Sequence, residues 1–229
     1  VPPGKHGAGE KRDLLWEKSQ NYESGEPGMK DAVDHKAQST LENGGAQEKI
    51  RCGWANPNNP RYLQYHDQEW GVPVHDDHRL FEMLILESFQ AGLSWECILN
   101  KREAFVRAFD GFELEKVCAY GEDKLAALQQ DPGIVRNRLK IRAAVNNARI
   151  FRENKREWGS FARYLWHWTD GKVVYETGRV SSGLSDAVSR DLKRRGMKFV
   201  GTVIIYAYLQ AVGVINSHED ACFCKHRAP

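Results

Sequence analysis

Up to about residue 48 the apolar positions are isolated, apart from Leu14, Leu15 and Trp16, and are set among Gly, Glu, Lys and Asn. Such a stretch buries too little surface to offset its ordering entropy. Residues 1–48 are therefore expected to be an unstructured tail, and 49–229 the folded domain. From Ile50 onward the pattern turns helical. DDHRLFEMLILESFQ opens with Asp76 and Asp77 as capping candidates and then carries apolar residues nearly all round, the signature of a helix buried on most sides. It breaks at Gly92, and SWECILNKREAFVRAF restarts behind Ser94 as N-cap.

EDKLAALQQ, a DPG turn at 131–133 and IVRNRLKIRAAVNNARIFREN read as helix, tight turn, helix. SDAVSRDLKRRG runs from a Ser185 cap to a Gly196 stop, and an apolar helix follows over 199–212. Only KVVYETG suggests a strand. The fold class is all-α with short connections and one core. The longest uncharged run, 199–216, carries Gly, Thr, Gln and two Tyr, and falls short of the roughly 20 apolar residues of a membrane span. No membrane partner is expected.

Charge changes this picture. The net charge is only +2, yet residues 136–198 hold 16 Lys/Arg against 6 Asp/Glu, a local net of +10. A basic stripe on a near-neutral protein suits a polyanion, although solvated helix faces give the same count. In LQQDPGIVRNRLKI the turn around Gly133 and the helix start behind it form a natural phosphate clamp, with Arg136, Arg138 and Lys140 adding charge. The generous aromatic count (seven Trp, eight Tyr, nine Phe) serves both a core and surfaces that stack on flat ligands.

The five cysteines are odd in number, widely spaced and preceded by no apolar signal region, which points to a reducing, intracellular setting. That setting is the cytoplasm in a bacterium, and the nucleus or an organelle in a eukaryote. Within INSHEDACFCKH, His218 and Cys222 stand four apart, the spacing of one helical face and half of a metal site. Cys97 and Cys118 fall in apolar helical stretches and read as core thiols. Cys52 lies 14 residues before His66 in RCGWANPNNPRYLQYHDQEWG, a Pro/Asn-rich segment with the composition of an irregular loop. A metal joining these two pairs would staple the start of the domain to its end; scattered, unrelated Cys and His is the competing reading.

RCGWA, YHDQEWGVP, LFEMLILESFQAGLSW, GIVRNRLKI, SDAVSRDLKRRGMKFVGT and the terminal HEDAC occur in this order between Arg51 and about Cys224. Together they resemble the 3-methyladenine DNA glycosylase I family, over some three quarters of the chain. The resemblance implies a helix–hairpin–helix DNA glycosylase-like fold. It implies one structural zinc on Cys52, His66, His218 and Cys222, with Cys224 and His226 as bystanders. Four protein ligands close such a site and leave no position for an activated water.

The same resemblance implies an enzyme that flips N3-methyladenine from double-stranded DNA and hydrolyses its glycosidic bond. That base is a cation, so its bond is already weakened, and recognition matters more than protonation of the leaving group. Glu87 would accept hydrogen bonds from the flipped base, and periodicity independently turns it inward. Tyr65 would be a second base contact, Trp95 a stacking ring, and Trp54 and Trp70 further walls. Gln90, Gly92 and Leu93 would approach the gap left in the duplex. No water-activating Asp and no nucleophilic Lys is nominated, so base excision without strand cleavage, by a monomer, is expected. A catalytically inactive DNA-binding protein of the same fold and a zinc hydrolase are the alternatives; the retained Glu87, Tyr65 and Trp95 speak against the first, the closed ligand set against the second.

Overall fold

A computed structural model describes residues 49–226, and the expectation of an unstructured tail over 1–48 lies outside the described residues. The first element corrects the sequence reading. The segment expected as an irregular loop contains helix α1 (Pro60–Gln68). Asn59 accepts from the N–H groups of Arg61 and Tyr62, and Pro60 occupies the first helical turn, where a missing N–H costs nothing. The Asn/Pro composition thus marks a helix start, and the helix buries Tyr65 and His66.

Helix α2 (Asp77–Gln90) is the central element, buried at every position from Leu80 to Phe89 as its all-round apolar pattern requires. Of the two candidate caps Asp76 is the N-cap, accepting from Arg79 N–H at 2.8 Å, while Asp77 reaches across to Ala162 N–H at 2.9 Å. Ser94 caps the next helix as expected, at Cys97 N–H. That helix is not continuous, however, but divides into α3 (Trp95–Asn100) and α4 (Arg102–Ala108). At the break, Lys101 sends its Nζ to the carbonyls of Pro132 and Gly133, 3.1 and 3.4 Å away.

Short α5 (Leu114–Cys118) and α6 (Glu122–Gln130) lead to the turn at 131–137 and the long α7 (Arg138–Trp158). This helix starts four residues later than the apolar pattern suggests, because Asn137 caps it at Leu139 and Lys140 N–H. Helix α8 (Phe161–Trp166) had no counterpart in the sequence reading. Helix α9 (Gly183–Arg194) is capped by Ser182, not Ser185; the latter is the third helical residue, whose hydroxyl accepts from Ser182 N–H at 2.9 Å.

Within the 199–216 run, α10 (Thr202–Ala211) covers only the middle. The run ends in a strand, β2 (Ile215–Asn216), which pairs in parallel with β1 (Val174–Tyr175) from KVVYETG. Between them Gly213, at φ 71°, passes so close to the backbone of Val72 that a Cβ would stand 2.2 Å from its carbonyl carbon. Helices α7, α9 and α10 complete the core around α2. Among the described residues no helix is long and apolar enough to cross a membrane.

Candidate functional site

The two halves of the proposed metal site meet. Cys52, His66, His218 and Cys222 are all buried, and their ligand atoms lie within 4.8 Å of one another. Cys52 Sγ is 3.5 Å from His218 Nδ1, and Cys222 Sγ is 3.5 Å from both His218 Nδ1 and His66 Nε2. His218 and Cys222 do not share a helical face as expected, because the chain after β2 runs through turns. Asn216 accepts from His218 N–H there, and Glu219 O accepts from Cys222 N–H.

This donor set fits a tetrahedral ion. Zn–S bonds of about 2.3 Å and Zn–N bonds of about 2.0–2.1 Å put sulfur and nitrogen roughly 3.5 Å apart. The outer nitrogens are also satisfied: His66 Nδ1 faces Asp67 at 2.9 Å, and His218 Nε2 faces Trp70 O at 3.1 Å. Arg51 in turn holds Asp67 with two bonds of 2.7 and 2.8 Å. Burial pushes the Cys52 thiol up to about 12, a cost that a cation between the thiols offsets. Gly71 of the EWGVP segment sits against this cluster, where a Cβ would lie 3.0 Å from His218 Nε2. Cys224 is buried next to it, 4.0 Å from the carbonyls of His66 and Asp67, and forms a second grouping with those residues.

A layer of indoles separates the cluster from a cavity of about 470 Å³. Trp70 meets His218 edge-on at 4.6 Å and Trp54 at 4.7 Å, and both indoles also face the cavity. Tyr65, Trp95 and Glu87 line it as well, with the Tyr65 and Trp95 ring centres 5.2 Å apart. Adjacent residues of α1 thus serve two sites: Tyr65 faces the cavity and His66 the metal cluster.

Two buried carboxylates on α2 contrast sharply. Glu82 accepts from Arg102 Nε and Arg79 Nη1, both at 2.8 Å, and these arginines also bind Glu69. Burial pushes the Glu82 carboxyl up, but the two guanidinium groups outweigh it and hold it below the usual range. Glu87, 2 % exposed, has no such partner among the described residues; its Oε2 is buried without a hydrogen bond, and burial pushes its carboxyl up to about 8. A structural Glu–Arg pairing is thus present at Glu82 and, among the described residues, absent at Glu87. Trp95 Nε1 is a second buried, unpartnered group at the cavity. An acceptor and a donor left orphaned in one aromatic pocket cost about 1–3 kcal/mol each until a ligand engages them.

Gln90 also lines the cavity, and Gly92 and Leu93 follow it as an exposed loop at the end of α2. Lys140, expected to face a nucleic-acid backbone, is instead buried. Its Nζ donates to Phe89 O at 2.8 Å and Ala91 O at 2.5 Å, neutralising the carbonyl end of α2. Arg136, on the turn before α7, and Arg138, the first residue of α7, are exposed. Gly133 donates its N–H to Asp131 Oδ1 at 2.7 Å, and a Cβ there would stand 2.9 Å from that of Ala104, so close packing against α4 accounts for this glycine. The +10 segment is partly neutralised at home, since Arg142, Arg152, Lys155, Arg194 and Arg195 pair with Glu122, Glu115, Asp77, Asp191 and Glu157.

Residues 54–225 match the family model described as methyladenine glycosylase. The chain belongs to the methyladenine glycosylase family. It is 42% identical over 180 residues to DNA-3-methyladenine glycosylase 1 of Escherichia coli (76% of this chain, 96% of the relative). It is 34% identical over 181 residues to the Haemophilus influenzae DNA-3-methyladenine glycosylase (76% and 97%). A crystal structure of 3-methyladenine DNA glycosylase I superposes with a TM-score of 0.74 at 41% identity, covering 76% of this chain and 99% of that one. A Staphylococcus aureus 3-methyladenine DNA glycosylase I, solved to explain 3-methyladenine recognition, gives 0.75 at 36% identity, covering 78% and 98%. The helical architecture is thus shared with these solved relatives.

Several cavity residues escaped the sequence reading. Gln210 from α10, Ser217 and Glu219 behind β2, and Gly178, Arg179 and Val180 from the loop after β1 all contribute to the wall. Gln210 follows from no local pattern, because its neighbours are a uniformly apolar helix. The 178–180 loop carries no signal either, as its position depends on the pairing of β1 with β2.

Proposed function

We propose that residues 49–229 form a DNA-repair glycosylase that takes N3-methyladenine from alkylated double-stranded DNA into the cavity and hydrolyses its N-glycosidic bond. The single observation that carries this reading is Glu87, a buried carboxylate in an aromatic pocket with no partner among the described residues. The family relatives named for 3-methyladenine support the choice of base.

The extruded base is cationic and flat, and each wall suits one property. Trp95 and Tyr65 offer π faces, a cation–π contribution of about 0.5–2 kcal/mol that neutral adenine lacks. Glu87 accepts hydrogen bonds from the base edge, and its charge is favourable only when a cation stands opposite. Trp54 and Trp70 close the remaining sides. Because the bond is already weak, Glu87 holds the departing base rather than protonating it. Gln90, Gly92 and Leu93 enter the space the nucleotide leaves, while Arg136, Arg138 and the turn at Gly133 rest on the phosphate backbone.

Cys52, His66, His218 and Cys222 would hold one zinc ion. When bound, it supplies a cross-link between the ends of the domain and fixes the backbone beside Tyr65. Excision proceeds without strand cleavage: Lys140, the one buried lysine among the described residues, is committed to two carbonyls and does not line the cavity. The protein acts as a monomer.

The test is base release. Methylated duplex DNA incubated with the protein should yield free 3-methyladenine with little 7-methylguanine. Folded protein that binds the duplex yet releases no base would replace this reading with that of a catalytically inactive DNA-binding protein.

A further inference from the structure

The cavity has a floor and a mouth of opposite character. Glu87 lies at the floor, 2 % exposed, and the loop of Gly178, Arg179 and Val180 lies at the rim, exposed to solvent. Among the described residues Arg179 is the only cationic one on the cavity wall. It also makes no ion pair and no hydrogen bond among the described residues, unlike much of the basic segment from which it comes.

Its placement is built rather than incidental. The two-stranded sheet pairs Val174 with Ile215 and Tyr175 with Asn216, and Glu176 N–H adds a bond of 3.2 Å to Asn216 O. That ladder ties the start of the loop to the segment leading into Ser217 and His218, which line the cavity and the metal cluster. Gly178 then turns the chain through φ 68°, a conformation that favours glycine, and carries Arg179 over the opening. The small sheet in an otherwise helical domain thereby hangs one unpaired guanidinium at the mouth of the pocket.

A nucleotide turned into this cavity brings its base to the floor and leaves its two phosphates at the mouth. We infer that Arg179 binds a phosphate flanking the extruded nucleotide and holds the backbone in its flipped geometry. The inference rests on the glycosylase reading above and deepens it. It assigns a contact separate from the turn at 133–138, which would meet the duplex whether or not a base is turned out. A guanidinium suits the task because its fork grips a phosphate with two hydrogen bonds.

The experiment measures affinity for two duplexes of one sequence, one undamaged and one with a stable tetrahydrofuran abasic site, at about 50–200 mM salt. Arg179→Ala should weaken binding to the abasic duplex roughly tenfold and lower the salt slope by about 1. Its affinity for the undamaged duplex should change little, and Arg179→Lys should recover part of the loss. Binding of free 3-methyladenine, read by tryptophan fluorescence, reports that the cavity of each variant is intact. Equal losses on both duplexes, or none on either, would overturn the contact. If wild-type protein releases 3-methyladenine while Arg179→Ala binds as wild type does, only this contact falls. If wild type releases no base, the glycosylase reading falls and takes the contact with it.

Discussion

Cys52 Sγ and His218 Nδ1 lie 3.5 Å apart although 166 residues of chain separate them. With His66 and Cys222 they close the domain on itself, and Phe223 N–H to Ile50 O at 2.9 Å and Gly53 N–H to Glu219 at 3.0 Å join the same two segments. Cys222→Ser is expected to lose the metal and about 4 kcal/mol or more of stability together. Metal analysis and thermal unfolding of the same preparations check this. A Cys222→Ser protein that is metal-free, equally stable and active would show that the cluster is not a staple.

Lys140 couples two parts of the site that are distant in sequence. It lies in the first turn of α7, close behind the basic turn, and its ammonium group ties down the end of α2 just before Gly92 and Leu93. Lys140→Met should cost about 1–3 kcal/mol, the penalty of leaving buried carbonyls without a donor. Hydrogen exchange should show loosened amides around 90–93, with α9 and α10 unaffected. Unchanged exchange in that loop would remove the coupling.

Glu87 makes stability depend on pH in a predictable direction. The folded protein keeps the Glu87 proton up to about pH 8, whereas a free carboxyl loses it near 4.5. Between those values the folded state binds more protons than the unfolded chain, so stability declines as pH rises through the window. Glu87→Gln should therefore match wild type near pH 4.5 and become more stable above pH 8, by a few kcal/mol at most. Denaturant melts at the two pH values measure the difference. A variant less stable than wild type at high pH would contradict the unpaired state of this carboxylate.

The same ionisation governs activity. A cationic base is attracted by the carboxylate, not by the neutral acid, so kcat/KM should rise with pH toward about 8, where the free protein ionises. In Glu87→Gln this rise should be absent. A profile that falls over the same range would mean that Glu87 acts as an acid.

Much of this site was legible in the sequence because its residues carry chemistry that local spacing exposes. Spacing singled out the Cys/His pairs and periodicity turned Glu87 inward, but only the family resemblance joined the two pairs into one set, and the helical face expected for His218 and Cys222 is a turn. The helix under Tyr65 and His66 was hidden by its own start signal, since Asn59 and Pro60 resemble loop residues until their capping role is seen. Lys140 was misread for a different reason: a lysine in a basic stretch gives no sign that two carbonyls 49 and 51 residues earlier will claim it. Arg179 depends on a two-residue strand pair, which is shorter than any alternation pattern can mark.

The most direct measurement is single-turnover release of 3-methyladenine from a duplex by wild type and Glu87→Gln, with zinc content determined on both. The account predicts release by wild type, a fall of about 10²-fold or more in the variant, and one zinc per chain in each. Equal rates from the two proteins would contradict it, because the chemistry would then not depend on the carboxylate in the cavity.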